Sequence, residues 1–152
     1  MPFDVDRFAR ELQEEIMQEV RSKYSETVIQ HWMNPVNFKR MEDYDGYGRI
    51  TGSCGDTQEI FIKVEANKIS DCSFFTDGCG TTIACGSIAV SLARGKSILR
   101  AAQITQKTIL DVCEDLPEED RHCAELAANA LQYAIIDYES ASLGNGKEKE
   151  GE

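Results

Sequence analysis

The sequence predicts an α+β fold, in which a small three-stranded antiparallel sheet packs against several helices. The first thirty or so residues repeat apolar side chains at three- and four-residue steps, as amphipathic helices do. Residues 47–77 change to the two-residue alternation of strands, interrupted by turn residues. Helical spacing then returns and continues to residue 140. This order of helix, strands and helices favours one mixed domain.

The N-terminal helix is strongly amphipathic. Its apolar stripe extends to Tyr24 and Val28, while acidic side chains occupy its other faces. We expect the stripe to pack on the chain's own domain, and contact with a second copy or a partner protein is the alternative. Asn34 precedes Pro35 and is thereby pushed out of the helical basin, so the helical region should end there. The stripe begins with Val5, Phe8, Leu12, Ile16 and Val20.

Three strands are expected next. Residues 48–51 form a short first candidate, and the alternation across residues 60–64 marks the second. Asn67 and Lys68 supply the turn before a third strand over residues 69–76. Consecutive strands at this spacing predict an antiparallel meander.

The C-terminal half is predicted to be helical. Residues 83–93 leave little polar face, so this helix should be buried, and Gly95 should end it. Shorter helices are expected over residues 97–103 and 108–114. The last helix should begin at Pro117, because proline suits the first helical position. Its predicted core stripe consists of Cys123, Ala127, Ala130, Leu131, Ala134 and Tyr138.

These patterns divide the chain into three parts. Residues 1–23 form an N-terminal helical extension, and residues 24–140 form one domain. Residues 141–152 are predicted to be a disordered acidic and polar tail, because residues 144–152 have nothing apolar to bury.

Composition and charge exclude several classes of partner. The chain has 152 residues, the usual size of one domain, with 16 Lys and Arg against 27 Asp and Glu and a net charge of −11. This acidity disfavours nucleic acid and anionic membrane surfaces. No apolar run approaches a membrane span, and residues 1–6 lack the pattern of a signal peptide. We therefore expect a cytoplasmic protein.

The chain contains six cysteines, and their positions divide them into two groups. A disulfide framework is disfavoured, because neither an export signal nor a small loop-rich fold accompanies them. In a reducing compartment, thiols serve more often as metal ligands, nucleophiles or core residues. Three lie where predicted elements end: Cys54, Cys79 and Cys123. The other three we interpret as core residues: Cys72, Cys85 and Cys113.

The residues around the first three cysteines indicate a site. Cys79 and Cys123 lie near helix N-termini, where backbone N–H groups favour a thiolate. Asp56 follows Cys54 by two residues, so in extended backbone both side chains point to one face. His122 adds an imidazole. Separations of 25 and 44 residues do not match the C-x-x-C pairs of zinc ribbons, so the fold would have to bring the loops together.

The two histidines, His31 and His122, lie in different surroundings. Neighbours on a helix point about 100° apart, so His122 and Cys123 should not form a hydrogen-bonded catalytic pair with each other. This makes a cysteine hydrolase a weak hypothesis. His31 lies in a helical stretch, and we interpret it as structural.

Several segments carry a resemblance to a known family. Residues 52–56 (Gly-Ser-Cys-Gly-Asp), 77–84 and 122–138 resemble the three cysteine motifs of the IscU/NifU family of iron–sulfur cluster assembly scaffolds. Residues 24–37 are similar to the N-terminal signature of that family. The resemblance runs from Tyr24 to Tyr138, about three quarters of the chain.

The resemblance implies a fold, a cofactor and a ligand set. The fold would be α+β, with a cluster site at one exposed end. Cys54, Cys79 and Cys123 would be thiolate ligands, and Asp56 or His122 would supply the fourth ligand. Such a site would build a transient [2Fe–2S] cluster from Fe(II), and zinc could occupy the apo-scaffold. No substrate is turned over, so we do not expect an enzyme.

The resemblance also implies partners. Sulfur would come from a cysteine desulfurase as a persulfide, electrons from a ferredoxin-like donor, and apo iron–sulfur proteins would receive the cluster. The chaperone-binding segment of the family reads Leu-Pro-Glu-Glu-Asp at residues 116–120 here, which argues against docking of an Hsp70-type chaperone. In the family this segment ends in a lysine, which is expected near the cluster, and Arg121 is the candidate replacement for it. The resemblance leaves open whether two copies of the chain form a homodimer.

Two alternatives to the scaffold remain. A zinc-dependent sulfur acceptor of the related SufU type usually lacks a histidine before its last cysteine, so His122 argues against it. A structural zinc module would use the same ligands. Cys85 stands six residues after Cys79 and could add a ligand, although packing is the favoured interpretation.

Overall fold

The structure, a computed structural model of the chain, describes residues 3–78 and 80–143. These residues form six α-helices, three strands and one 3₁₀ turn. The helices are α1 (Val5–Lys23), α2 (Glu26–Met33), α3 (Gly80–Ala93), α4 (Ile98–Ala101), α5 (Gln106–Cys113) and α6 (Arg121–Leu143). The strands are β1 (Gly46–Thr51), β2 (Thr57–Glu65) and β3 (Lys68–Thr76). The predicted α+β class with a three-stranded sheet is confirmed.

The sheet is an antiparallel meander in the order β1-β2-β3. Gly48 pairs with Ile60, which pairs in turn with Phe74, so these three positions share one face. That face is the core side, because Ile60 and Phe74 are fully buried. β2 begins three residues earlier than the predicted strand, at Thr57, since its first residues are polar and show no apolar alternation.

Two glycines let α6 lie directly on β1. A Cβ atom added at Gly48 would meet the carbonyl oxygen of Ala130, and one added at Gly46 would meet that of Ala134. Only residues without a side chain allow a helix backbone to approach a strand this closely. The contacts fix the position of α6, so that its N-terminal end lies at the edge where β1 ends.

The helix α3 is buried on all sides, as predicted. Ten of its fourteen residues are buried, and it contacts β3, α2 and α6. It begins at Gly80, three residues before the predicted start. Its N-terminal turn follows β3 directly and therefore lies at the same edge of the sheet as the end of β1.

The N-terminal region differs from the prediction of one continuous stripe. Tyr24 has an extended backbone (φ −129°, ψ 146°), which ends α1. Ser25 then caps α2 by accepting a hydrogen bond from the N–H of Val28 at 3.3 Å. The chain therefore forms two helices here, and α2 ends at Met33 before Pro35, as expected.

The expected docking of α1 on its own domain is wrong. No residue of α1 is buried, and the four apolar side chains at the start of its stripe are between 46% and 64% exposed. The break at Tyr24 takes this stripe out of line with α2, whose Val28 and Ile29 are buried in the core. The four exposed side chains are Val5, Phe8, Leu12 and Ile16.

The last helix begins and ends later than predicted. Pro117 has extended ψ (146°) and precedes a 3₁₀ turn over Glu118–Asp120, so α6 starts only at Arg121. Residues 141–143 continue α6 instead of joining the tail, since Ala and Leu favour the helix even without burial. Residues 144–152, which the sequence predicts to be disordered, lie outside the described residues.

Among the described residues, no helix combines the length and apolar character needed to cross a membrane.

Candidate metal centre

Two loops that carry predicted site residues lie at the same end of the sheet. The β1–β2 loop covers residues 52–56, and the β3–α3 connection covers residues 77–79. Thr51 pairs with Thr57, and Gln58 pairs with Thr76, so both loops leave the sheet at one edge. α6 reaches the same edge, because Leu126 lies 3.3 Å from the position that a Cβ on Gly52 would occupy.

Cys54 is exposed on the β1–β2 loop. The loop is closed by two backbone hydrogen bonds, from the N–H of Gly55 to Gly52 at 3.0 Å and from the N–H of Gly52 to Asp56 at 2.9 Å. Gly55 has φ +94°, a conformation that favours glycine. The glycines around Cys54 leave its sulfur exposed.

Thr82, in the first turn of α3, connects two of the predicted ligands. Its hydroxyl donates to Asp56 Oδ2 at 2.8 Å, and its Oγ1 lies 3.4 Å from Cys123 Sγ. Thr82 is only 2% exposed. Sequence analysis missed this residue. Its position three residues after Cys79, about one helical turn, was the signal that could have found it.

Cys123 is a buried thiol. Its side chain is 4% exposed, and burial raises its pKa to about 11. The charges of Asp120, Cys54 and Asp56 raise this pKa further. The prediction that a helix N-terminus would favour the thiolate is therefore wrong for Cys123 in the absence of a metal ion.

His122 lies beside Cys123. Its Nε2 is 3.7 Å from Cys123 Sγ, within hydrogen-bonding distance for sulfur. The expectation that these neighbours cannot pair is wrong, because side-chain rotation brings the ring back towards the sulfur although the Cα–Cβ bonds diverge. Among the described hydrogen bonds, none joins the His122 ring to a third side chain that would orient the imidazole as a general base.

The structure thus brings together most of the predicted site. Thr82 links Asp56 to Cys123, and His122 contacts Cys123. Cys54 lies on the β1–β2 loop beside them. Cys79 lies outside the described residues. Within residues 3–78 and 80–143, no three Cys, His, Asp or Glu side chains are already close enough together to hold a metal ion. The hydroxyl of Thr82 lies between the carboxylate and the sulfur.

The donor types fit iron or zinc. Thiolate and imidazole are the usual ligands of Zn²⁺ and of iron–sulfur clusters, and a carboxylate oxygen is a weaker addition. In the structure these are the side chains of Cys54, His122, Cys123 and Asp56.

The surrounding residues restrict the site on its inner side. A Cβ on Gly78 would lie 2.7 Å from Asp56 Oδ2 and 2.8 Å from Thr82 Cβ, so the glycine allows these groups to approach. Gln58 Nε2 donates to the carbonyl oxygen of Thr82 at 3.2 Å. Trp32 covers the other side, with its ring 3.2 Å from a Cβ placed on Gly80.

The remaining cysteines are core residues, as predicted. Cys72, Cys85 and Cys113 are fully buried, and every cysteine in the described ranges carries a free thiol. A hydrogen bond to Cys113, together with burial, raises the pKa of Cys85. Both effects keep the Cys85 thiol protonated inside the core, so its packing explains it without a ligand role.

His31 and Arg121 have structural partners. His31 Nδ1 lies 2.7 Å from Ser87 Oγ, and burial lowers the pKa of the imidazole. This contact joins α2 to α3 and confirms the structural interpretation. Arg121 pairs with Asp115 at 3.8 Å on the surface.

Comparison with known proteins identifies the family. The NifU-like N terminal domain family matches residues 23–144, most of the chain. The chain belongs to this family. It is 43% identical over 116 residues to a protein of Archaeoglobus fulgidus named iron-sulfur cluster assembly scaffold protein IscU 1, and the match covers 76% of each chain.

Solved structures of this family share the fold. The N-terminal NifU-like protein of Brucella abortus superposes with a TM-score of 0.64 at 16% identity, covering 76% of this chain and 94% of that one. A putative iron-sulfur cluster assembly scaffold protein for the SUF system from Fervidobacterium islandicum gives a TM-score of 0.64 at 18% identity, covering 74% and 96%.

Proposed function

We propose that the chain is an iron–sulfur cluster assembly scaffold, which accepts sulfur and iron, builds a labile cluster and passes it to apo-proteins. The observation that carries this proposal is the convergence of Cys54, Asp56, His122 and Cys123 at one edge of the sheet. The 43% identity to an archaeal protein named as such a scaffold supports it.

We infer the ligand set of the cluster from these positions together with the resemblance of the three cysteine motifs to those of the family. Cys54, Cys79 and Cys123 would supply three thiolates, and Asp56 or His122 would supply the fourth ligand. A [2Fe–2S] cluster needs four protein ligands, two for each iron. An oxygen or nitrogen donor is a weaker fourth ligand than a thiolate, which suits a cluster that must leave. The same donors would hold zinc when iron and sulfide are absent.

Sulfur would enter by exchange between a thiolate and a persulfide. A site thiolate attacks the outer sulfur of the donor persulfide, a new S–S bond forms, and the donor leaves as a thiolate, so no net oxidation occurs. Two electrons from a ferredoxin-like donor then reduce the transferred sulfur to sulfide. The chain acts as acceptor and carrier, and we propose that it turns over no substrate of its own.

Charge defines the kind of partner that would dock. With a net charge of −11, the chain should bind a desulfurase, an electron donor and recipient proteins through their basic surfaces. Such binding should weaken as the salt concentration rises.

Anaerobic reconstitution tests the proposal. The apo-protein is incubated with Fe(II), cysteine, a cysteine desulfurase and dithiothreitol as the two-electron reductant, and visible absorption is recorded before transfer to an apo-ferredoxin. We expect sulfide-to-iron charge-transfer bands that disappear as the ferredoxin acquires its cluster. Cys54→Ala should lose these bands, while Cys72→Ala, which removes a buried core thiol, should retain them.

Two outcomes would argue against the scaffold. If the unaltered chain forms no charge-transfer bands, or holds a cluster that no acceptor can take, the proposal fails. Retention of zinc together with persulfide transfer, but without a cluster, would instead favour a zinc-dependent sulfur acceptor.

Asp56 has its own test. We expect Asp56→Ala to release the cluster more slowly to the apo-ferredoxin, because the exchangeable oxygen ligand is gone. Asp111→Ala, which removes an exposed carboxylate of α5, is the control. Equal release rates for Asp56→Ala and the unaltered chain would remove the proposed role of Asp56.

A further inference from the structure

Thr82 contacts two side chains that we propose as ligands, and it does so through one atom. Its Oγ1 lies 2.8 Å from Asp56 Oδ2 and 3.4 Å from Cys123 Sγ. A hydroxyl has a single hydrogen to donate and two lone pairs with which to accept. Since a carboxylate only accepts, the hydrogen is directed at Asp56, and a lone pair faces the sulfur.

The position of this hydroxyl is fixed from three sides. Gln58 is fully buried and donates through Nε2 to the carbonyl oxygen of Thr82 at 3.2 Å. Gly78 lies against both the Thr82 side chain and Asp56 Oδ2, where any Cβ would be 2.7 to 2.8 Å away. Thr82 itself is buried at the start of α3, so its hydroxyl has little freedom to turn elsewhere.

Asp56 depends on this contact more than the other site residues do. It is carried by the β1–β2 loop, outside the sheet ladder, and its side chain is only half-buried. The Thr82 hydrogen bond uses Oδ2, so Oδ1 is left available to a metal ion. A ligating carboxylate that is itself hydrogen-bonded is held in orientation, and loss of such support commonly costs about 10–100-fold in metal affinity.

We propose that Thr82 is a positioning residue, which holds the Asp56 carboxylate next to Cys123 and thereby sets how tightly the site binds a metal ion. The proposal rests on the proposed function, because it assigns Asp56 and Cys123 to metal binding. Thr81, the neighbouring threonine, lies near the Tyr24 hydroxyl. The two adjacent threonines therefore have different roles.

Titration of the apo-protein with Co(II) tests the proposal without cluster assembly. Thiolate-to-Co(II) absorption reports ligation by sulfur, and its dependence on Co(II) concentration gives the affinity. Thr82→Val keeps the shape and removes the hydroxyl, so the affinity should fall about 10–100-fold. Thr82→Ser restores the hydroxyl and should recover most of this loss. Ser91→Ala removes another α3 hydroxyl, which bonds only within the helix, and serves as the control.

A double-mutant cycle shows whether Thr82 acts through Asp56. In the Asp56→Ala background, Thr82→Val should change the Co(II) affinity little, because the side chain to be positioned is absent. Circular dichroism confirms that each variant is folded. Equal affinities of Thr82→Val and the unaltered chain overturn the proposal, and so does an undiminished effect of Thr82→Val in the Asp56→Ala background.

The outcomes separate this proposal from the proposed function. If the unaltered chain binds no Co(II), the positioning role of Thr82 fails, and the cluster reconstitution decides the proposed function by itself. If it binds Co(II) and builds a transferable cluster while Thr82→Val behaves identically, only the role of Thr82 is refuted.

Discussion

Cys54 and Cys123 carry the same thiol group in opposite surroundings. Cys54 lies exposed on a glycine-rich loop, whereas Cys123 is 4% exposed and contacts both Thr82 and His122. Both lie at the same edge of the sheet, one at the end of a strand and the other in the first turn of a helix. Burial raises the pKa of Cys123 to about 11 despite its helical position, so desolvation outweighs the helix dipole there.

The two proposed ligands Cys54 and Cys123 are therefore not equivalent in the metal-free protein. An exposed thiol is accessible to donors of sulfur and metal, whereas a buried protonated thiol must lose a proton to bind. Metal binding to thiols releases protons and is therefore coupled to pH. The thiols of Cys54 and Cys123 and the glycines near them, Gly55 and Gly78, can be tested separately.

Alkylation should show the largest difference between the two thiols. In the metal-free protein at pH 8, iodoacetamide should modify Cys54 at least about 100-fold faster than Cys123, because the thiolate is the nucleophile and Cys123 is almost entirely protonated. Mass spectrometry of the digested chain measures both rates. In denaturant the two rates should converge, and similar rates in the folded chain would contradict the contrast.

The pH dependence of Cys123 alkylation should be nearly as large. Below its pKa of about 11, the thiolate fraction of Cys123 rises about tenfold for each unit by which the pH increases. The rate at Cys123 should therefore rise about tenfold per unit from pH 7 to pH 10 and level off near pH 11. Retained circular dichroism over this range is the control. A plateau below pH 9 would show that burial does not raise the pKa of Cys123 to about 11.

Gly78→Ala should damage the inner side of the site. The added Cβ would lie 2.7 Å from Asp56 Oδ2 and 2.8 Å from Thr82 Cβ, so the carboxylate and the hydroxyl must separate. We expect Co(II) affinity to fall about tenfold, as for loss of a supporting hydrogen bond. Absorption titration measures this effect, and an unchanged affinity would show that the Asp56–Thr82 contact is dispensable.

Gly55→Ala should have the smallest effect, and mainly on stability. A Cβ at Gly55 meets nothing within 4 Å, but the φ of +94° is unfavourable for any residue with a side chain. The free energy of unfolding should fall by about 1–2 kcal/mol. Urea denaturation measures it, with Ser53→Ala on the same loop as the matched control. A loss above about 4 kcal/mol would indicate a contact that the structure lacks.

The sheet could be predicted because its apolar residues alternate. Ile60, Ile62 and Val64 stand at every second position of β2, and the turn at Asn67 separates β2 from β3, so the meander was evident from the sequence. The start of β2 was not, since Thr57 and Gln58 are polar. Gln58 is buried because of its neighbours in three dimensions, which a linear pattern does not show.

The N-terminal break was missed because the apolar spacing continues across it. Val20, Tyr24 and Val28 keep a four-residue step, and this period hides the extended backbone at Tyr24. The capping serine at Ser25 was the local signal for a new helix. The exposure of α1 follows from that break and could not be read from its own composition.

The site was predicted as a set of residues but not as a network. The positions of Cys54, Asp56, His122 and Cys123 at the ends of elements were visible in the sequence. Thr82 was overlooked although it stands three residues after Cys79, because that spacing places it near the site without showing that its hydroxyl contacts two site residues. The pKa of Cys123 was also misjudged, since burial depends on the whole fold.

The exposed stripe of α1 should give the chain an unusual calorimetric profile. The heat capacity increment of unfolding follows the apolar surface that becomes newly hydrated. The 19 residues of α1 include none that is buried, so melting this helix hydrates little additional surface. The heat capacity increment per residue should therefore be lower than for an ordinary domain of the same length. Helical circular dichroism should also begin to decline below the temperature at which the core melts, because α1 frays first.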